Sequence, residues 1–72
     1  MEIKFTNHAR ERLKKRGISE EDVIETVNNA ENTNKRGGKY YAQKNIGRGK
    51  IEVVYEKDKY IKIVTIYWIR WK

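Results

Sequence analysis

The chain has 72 residues, no cysteine, one histidine and a formal net charge of +7 at pH 7. This length suffices for a single domain, expected over residues 1–72, and the lack of cysteine excludes disulfides and thiolate metal sites. No apolar run is long enough for a membrane span or a signal peptide, so we expect a soluble cytoplasmic protein without a metal or other cofactor.

A first helix is predicted from about Asn7, with Thr6 or Asn7 as its capping residue. Ala9 and Leu13 fall on one face of this helix and indicate its buried side. Gly17 supplies the left-handed residue that commonly ends a helix.

A second helix is predicted immediately afterwards. Ser19 is expected as its N-cap, and Asp22, three residues on, as the acidic partner of a capping box. Ile18 and Val23 occupy the positions of a hydrophobic staple across this helix start. The buried stripe is expected to comprise Val23, Val27 and Ala30, with Ile24 beside it.

The remainder of the chain is predicted to form a sheet. The segment "NNAENTNKRGG" has no periodicity and two adjacent glycines, so it is interpreted as a loop. After it the hydrophobic period becomes two, which is typical of strands joined by short turns. The predicted strands are "KYYAQKNI", "KIEVVYEK" and "YIKIVTIYWIRW", with "EIKF" as a short edge strand at the start. We therefore expect an α+β fold with a two-helix hairpin on a three- to four-stranded antiparallel sheet.

The last predicted strand is apolar on both faces. Strict alternation places Ile61, Ile63, Thr65 and Tyr67 on one face and Val64, Ile66 and Trp68 on the other. One face is expected to pack on the helices, and the other needs cover from a strand, the chain end or another protein. A homodimer through a sheet edge or through this apolar face is therefore a candidate assembly.

The cations are clustered along the chain. Net charge is +4 for residues 1–18, −5 for 19–34, +6 for 35–50 and +2 for 51–72. Two basic blocks on either side of an acidic one are typical of a protein that binds a polyanion, which favours nucleic acid as the partner. A solvated lysine-rich surface is the alternative interpretation.

His8, Arg12 and Arg16 recur at four-residue spacing in the first helix. Each step advances by about 40° on an ideal helix, so they form a row along the border of the Ala9–Leu13 face. An arginine there is partly desolvated, which strengthens its bonds to phosphate, and histidine suits proton transfer near neutral pH. The row therefore contains groups suited to RNA cleavage by its own 2′-hydroxyl.

Structural interpretations of this row stay open. His8, near a helix start, can cap the helix or pair with a backbone group. Arg12 and Arg16 can form ion pairs that hold the two helices together. The carboxylates in reach on the second helix would be those of Glu20, Glu21 and Glu25.

Further cations are predicted to contact RNA, because "KRGGK" and "NIGRGK" combine glycines with cations and other cations alternate with strand aromatics. These cations are Lys15, Lys35, Arg36, Lys39, Lys44, Arg48 and Arg70. The aromatics are Tyr40, Tyr41, Tyr55, Tyr60, Tyr67, Trp68 and Trp71. The alternatives are a mobile basic loop, a plain hairpin turn, and aromatics that pack in the core or across strands.

The runs "HARERLKKRGIS", "EDVIETVNNAE" and "KIEVVYEKDKYIKIVTIY" together resemble a small bacterial and archaeal domain family. That family resembles the RelE-like and BrnT-like toxins, which are small ribonucleases with helices packed on an antiparallel sheet. The resemblance implies functional roles for His8, Arg12, Arg16, Thr65 and Tyr67. It also implies metal-independent cleavage of messenger RNA and inhibition by a partner antitoxin.

The leading hypothesis from the sequence is a metal-independent endoribonuclease of toxin type acting on single-stranded RNA. His8 would transfer the proton, Arg12 and Arg16 would bind the phosphate, and the Thr65 and Tyr67 hydroxyls would support them. The alternatives are a non-catalytic RNA-binding module and a protein-interaction domain that docks a partner or a second copy.

Overall fold

The computed structural model describes residues 1–71, except for the side chain of Trp71. The expected domain range and the predicted aromatic surface thus include Lys72 and the Trp71 side chain, which lie outside the described part. In chain order the elements are β1 (Ile3–Phe5), α1 (Asn7–Arg16), α2 (Glu20–Asn28), β2 (Asn32–Arg36), β3 (Lys39–Asn45), β4 (Gly49–Lys57) and β5 (Ile61–Trp71). The fold is α+β, as predicted.

Local sequence signals set the ends of α1. Thr6 is its N-cap, because the Thr6 hydroxyl accepts a hydrogen bond from the Ala9 backbone N–H at 3.0 Å. Gly17 ends the helix with φ +64° and donates its N–H to the Leu13 and Lys14 carbonyls. The same Thr6 hydroxyl donates to the Ile63 carbonyl at 3.1 Å, which fixes the start of α1 against β5.

The predicted capping box of α2 is confirmed. Ser19 Oγ accepts from the Asp22 N–H at 3.0 Å, and Asp22 Oδ2 accepts from the Ser19 N–H at 3.1 Å. Of the predicted stripe, Val23 is fully buried, and Val27 and Ala30 pack partly buried against the core, although Ala30 lies beyond the last helical residue. Ile24, predicted beside the stripe, is exposed. Thr26 is also fully buried, and its hydroxyl donates to the Asp22 carbonyl at 2.8 Å.

The sheet has five strands in the order β1-β5-β4-β3-β2 within residues 1–71. The three adjacent pairs from β2 to β5 are antiparallel, as expected for a meander. The predicted edge strand exists as β1, but it runs parallel to β5, with Ile3 opposite Ile61. The sheet is therefore mixed, and the expectation of three or four purely antiparallel strands was wrong.

The loop predicted over residues 28–38 is also wrong in part, because Asn32–Arg36 forms the edge strand β2. All five of its residues are exposed, so it has no buried face and no alternation of apolar and polar residues. Its pairing depends on the backbone ladder to β3 and on Gly37 and Gly38, both at positive φ in the two-residue turn.

β5 does not follow the strict alternation that the sequence predicts. Val54 pairs with Thr65 whereas the next residue, Tyr55, pairs with Ile63, so β5 carries an extra residue at Val64. This bulge places Ile63 and Ile66 on the same face although they are three residues apart. Thr65 therefore lies on the opposite face, and the apolar residues of β5 do not need cover on both sides.

Both helices pack on one face of the sheet. Ala9 and Leu13 of α1 and Val23 of α2 belong to a single core cluster with buried strand residues. The strand members of that cluster are Ala42, Ile51, Val53, Tyr55, Ile61, Ile63 and Ile66. We call the opposite face of the sheet the helix-free face. Within residues 1–71, neither helix is long and apolar enough to cross a membrane.

Candidate functional site

The predicted row begins with a direct contact between two side chains. Arg12 Nε donates a hydrogen bond to His8 Nε2 at 3.4 Å, one turn apart on α1. His8 is exposed and Arg12 is half-buried, because Arg12 lies nearer the buried face formed by Ala9 and Leu13. The four-residue spacing therefore produces an imidazole and a guanidinium side by side on an open surface.

Arg16, the third member of the row, contacts the strand that α1 packs against. Its Nη1 donates to the Ile66 carbonyl at 2.5 Å, and its own carbonyl accepts from Trp68 Nε1 at 2.8 Å. The half-buried Arg16 guanidinium thus lies at the edge of β5, beyond the segment that β1 covers.

The ion pairs with α2 are formed by arginines other than Arg12 and Arg16. Arg10 pairs with Glu20 at 2.7 Å, and Arg48 pairs with Asp22 at 3.0 Å. Among residues 1–71, neither Arg12 nor Arg16 forms an ion pair with α2. The predicted row is therefore not the clasp between the helices.

Asp22 combines the capping box with a second donor. Arg48 Nη2 donates both to its carboxylate at 3.0 Å and to the Gly17 carbonyl at 2.8 Å. Partial burial acts to raise the Asp22 pKa, but hydrogen bonds from Ser19 and Arg48 outweigh it and hold this pKa below its usual value. The cation predicted to bind RNA at Arg48 thus stabilises the junction of α1 and α2.

Thr65 and Tyr67 are separated from the row by the sheet. They pair with Val54 and Glu52 on the helix-free face, whereas α1 lies on the other side. The structure therefore brings together His8 and Arg12, places Arg16 at the strand edge, and leaves the two hydroxyls on a different surface.

The remaining predicted cations do not form one patch. Lys44 donates to the Asn29 carbonyl at the end of α2 at 3.3 Å. Lys35 lies over the Tyr40 ring, with its Nζ 5.3 Å from the ring centre. Lys15 and Arg70 are exposed, on α1 and near the end of β5 respectively. These four cations are therefore distributed over several surfaces.

Arg36 and Lys39 lie on the helix-free face. The Arg36 guanidinium lies 4.3 Å from the centre of the Tyr41 ring, a cation–π geometry. Lys39 Nζ pairs with Glu56 at 3.7 Å, and Lys62 Nζ pairs with the same carboxylate at 3.2 Å. The hydrogen bond and charge of Lys62, together with Lys39, hold the Glu56 pKa below its usual value.

The predicted strand aromatics divide between the two faces. Tyr40 stacks on Tyr55, a core residue, at 5.1 Å between ring centres, and Tyr40 and Trp68 pack against the core. Tyr41 and Tyr67 lie on the helix-free face, by their pairing with Val54 and Glu52. For Tyr40, Tyr55 and Trp68, packing against the core is the interpretation that the structure supports.

A hydrogen-bonded row on the helix-free face escaped the sequence analysis. Gln43, Glu52 and Tyr67 are direct cross-strand neighbours on β3, β4 and β5. Gln43 Nε2 donates to Glu52 Oε2 at 2.8 Å, and the Tyr67 hydroxyl donates to Glu52 Oε1. Burial, together with this bond to Glu52, raises the pKa of Tyr67 to about 12. Glu52 itself is only 7% exposed.

A cavity of about 300 Å³ lies elsewhere, where α1 meets the start of α2. It is lined by Arg10, Leu13, Lys14, Ile18 and Glu20. None of the predicted site residues contributes to it. Within residues 1–71, no group of three His, Cys, Asp or Glu side chains is placed to hold a metal ion.

Comparison with known proteins identifies a family. The model of a domain of unknown function, DUF4258, matches residues 5–68. No curated protein and no solved structure matches the chain. The matched range includes both helices, the His8–Arg12 pair and the Gln43–Glu52–Tyr67 row.

Proposed function

We propose that this chain, which belongs to the DUF4258 family of domains of unknown function, is a metal-independent endoribonuclease of toxin type that cleaves single-stranded RNA. The observation that carries this proposal is the contact between His8 and Arg12 on an exposed helix surface. It supplies a proton acceptor beside a fixed cation, which are the two groups that attack by a ribose hydroxyl requires.

The chemistry uses only these side chains and the RNA. The atom of His8 that accepts the hydrogen bond from Arg12 is Nε2. In the proposed reaction the Arg12 guanidinium turns from His8 Nε2 to the phosphoryl oxygens and balances their charge. The lone pair that this frees on Nε2 takes the proton of the 2′-hydroxyl as the hydroxyl oxygen bonds to phosphorus. The bond from phosphorus to the 5′-oxygen then breaks, that oxygen takes a proton from water, and a 2′,3′-cyclic phosphate remains.

Arg16 extends this surface along the helix. Its guanidinium is held at the β5 edge by the Ile66 carbonyl, and its remaining donors are available to a neighbouring phosphate. Thr65 and Tyr67 contribute in this proposal to RNA binding on the helix-free face. The net charge of +7 supports a polyanionic substrate.

The toxin assignment rests on the resemblance of the opening motif to RelE-like and BrnT-like toxins. It includes a cytoplasmic location, inhibition by an antitoxin protein and growth arrest on expression. The helical packing on one sheet face is compatible with that class. A homodimer through the exposed outer edge of β2 also stays a prediction.

The direct test is cleavage of end-labelled single-stranded RNA by the purified protein in the presence of a chelator. We expect His8→Ala to slow cleavage by about 100-fold or more, as removal of a general base does. Lys14→Ala is the matched control, because Lys14 is an exposed cation on the same helix. No cleavage by the unmodified protein, or equal cleavage by the His8→Ala variant, would contradict the proposal.

A second candidate is a non-catalytic RNA-binding module, favoured by the exposed Arg36 guanidinium stacked on Tyr41. Stacked planar groups beside cations bind single-stranded bases. This function predicts RNA binding that weakens steeply with salt and is unchanged by His8→Ala. Binding without cleavage would favour it over the ribonuclease.

A further inference from the structure

Glu52 is a nearly buried carboxylate on the face that no helix covers. It lies on β4, the middle strand of the five, and is 7% exposed. Its cover comes from neighbouring strands, since Gln43 and Tyr67 flank it and bond to one oxygen each. A charged side chain is therefore held at the centre of a surface where lysine and glutamate usually extend into water.

Within residues 1–71, no cation forms an ion pair with this carboxylate. Glu56, four residues further along β4 and on the same face, by contrast pairs with Lys39 and Lys62. Placing a nearly buried carboxylate where its hydrogen-bond partners are neutral donors costs free energy. A carboxylate accepts about four hydrogen bonds, and Gln43 and Tyr67 supply two.

A stacking surface lies beside Glu52. Tyr41, on the next cross-strand row, carries the Arg36 guanidinium over its ring at 4.3 Å. Arg36 is exposed, so the outer side of its guanidinium is open to a second planar group. Val54, which is 4% exposed, lies between Tyr41 and Thr65 and forms an apolar floor.

We propose that the helix-free face binds a guanine base of single-stranded RNA, with the Glu52 carboxylate accepting hydrogen bonds from guanine N1–H and N2–H₂ and the base stacked against Arg36. The RNA partner is taken from the proposed function, but the inference is independent of cleavage. The base either bonds to Glu52 while Tyr67 and Gln43 keep their hydrogen bonds to it, or it displaces the amide of Gln43, which is the more flexible of the two donors.

Guanine is selected because of its adjacent donors. Its Watson–Crick edge presents N1–H next to N2–H₂, which matches the two oxygens of a carboxylate. Adenine and cytosine each place a ring nitrogen acceptor beside their amino group, and that acceptor repels a carboxylate. Uracil offers a single N–H between two carbonyl oxygens. The phosphates on either side of the base would lie near Arg36, Lys39 and Lys62.

The first experiment uses the unmodified protein, so it does not depend on any variant that folds poorly. The probes are fluorescent 2′-O-methyl uridine oligonucleotides with one central guanosine, inosine or adenosine, which lack the 2′-hydroxyl needed for cleavage. Inosine lacks only the N2 amino group. We expect inosine to bind about tenfold more weakly than guanosine, and adenosine more weakly still, from the loss of hydrogen bonds to a charged acceptor.

The second experiment tests the residue. Glu52→Gln replaces one acceptor oxygen with a donor, so the difference between guanosine and inosine should disappear. Glu56→Gln, on the same strand and face, is the matched control and should keep that difference. Thermal melting of each variant shows whether it is folded.

Equal binding of guanosine and inosine by the unmodified protein would overturn the inference, as would no binding of any probe. Retention of the guanosine preference in folded Glu52→Gln would also overturn it. Failure of the ribonuclease is separate: an intact guanosine preference without cleavage of ordinary RNA contradicts the proposed function alone.

Discussion

Arg16 and Ile66 connect α1 to β5 through one hydrogen bond, from the arginine Nη1 to the isoleucine carbonyl at 2.5 Å. β1 pairs with β5 over Ile61–Ile63, so within residues 1–71 no neighbouring strand lies on that side at Ile66. A helix side chain thus satisfies a strand carbonyl that would otherwise lack a protein donor there. Arg16 therefore has a structural role in addition to any role in RNA binding.

Arg16→Ala should lower the free energy of unfolding by about 1–2 kcal/mol, because it removes a charged donor from the carbonyl of the buried Ile66. Urea denaturation measures this. Lys15→Ala is the control, since the adjacent exposed lysine should change stability by less than about 0.5 kcal/mol. Equal stability of the two variants would show that the Ile66 carbonyl does not need Arg16.

Asp22→Asn should lower the stability of the fold at neutral pH by about 1 kcal/mol through the weakened helix cap. Because the folded Asp22 pKa lies below its ordinary value, its contribution is present above that value and is lost as pH falls through the folded pKa. The variant should therefore lose less stability on acidification than the unmodified protein.

The measurement for Asp22 is the free energy of unfolding in urea from pH 7 down to pH 3. Asp58→Asn serves as the control, because Asp58 is an exposed carboxylate in the turn before β5. If the Asp22→Asn and unmodified proteins lose stability in parallel as pH falls, the hydrogen bonds from Ser19 and Arg48 do not couple this carboxylate to folding.

Local signals made the helices predictable. Thr6, Gly17 and the Ser19–Asp22 box act over three or four residues, so their geometry follows from the sequence alone. The edge strand β2 was missed because it buries neither face. Hydrophobic periodicity identifies a strand by its buried face. β2 has no buried face, because it is held only by its backbone hydrogen bonds to β3.

The candidate site was predictable only where its members share one element. The sequence predicted a row of His8, Arg12 and Arg16, and helical spacing explains the direct contact that His8 and Arg12 make within it. The Gln43–Glu52–Tyr67 row depends on the register of three strands and on the extra residue at Val64. The burial of Glu52 arises from its cross-strand neighbours, which the pattern of a single strand does not identify.

Gly49→Ala should destabilise the protein more than any other glycine substitution near the β3–β4 turn. Gly49 has φ +148°, and a Cβ there would lie 2.5 Å from the Arg70 carbonyl and 2.7 Å from the Trp68 ring. Neither the Arg70 backbone nor the packed Trp68 ring can move away without disturbing the fold. We therefore expect Gly49→Ala to lower the free energy of unfolding by about 2–4 kcal/mol.

Gly47→Ala is the control for Gly49. Gly47 also has positive φ, at +96°, but nothing lies within 4 Å of a Cβ built there. Its substitution should cost only backbone strain, about 1–2 kcal/mol. Comparable losses for the two variants in chemical denaturation would contradict the close approach of Trp68 and Arg70 to Gly49.

Tyr67→Phe removes the hydroxyl that donates to Glu52 and leaves a nearly buried carboxylate oxygen short of one donor. We expect it to lower the free energy of unfolding at neutral pH by about 1–3 kcal/mol, the cost of an unsatisfied buried acceptor. Tyr60→Phe is the control, because Tyr60 lies in the turn before β5 and does not bond to Glu52.

Alkaline pH separates this hydrogen bond from simple packing. The folded pKa of Tyr67, about 12, is above the ordinary value of 10.0, so its contribution is complete below 10.0 and is lost as pH rises toward 12. The unmodified protein should therefore lose more stability between these values than Tyr67→Phe, in urea denaturation at each pH. Burial also raises the pKa of Tyr55, so ultraviolet titration of tyrosinate should show more than one group ionising late. One of these late groups should be missing from Tyr67→Phe, and none should be missing from Tyr60→Phe. If Tyr67→Phe keeps every late-ionising group, the Tyr67 hydroxyl does not donate to the Glu52 carboxylate.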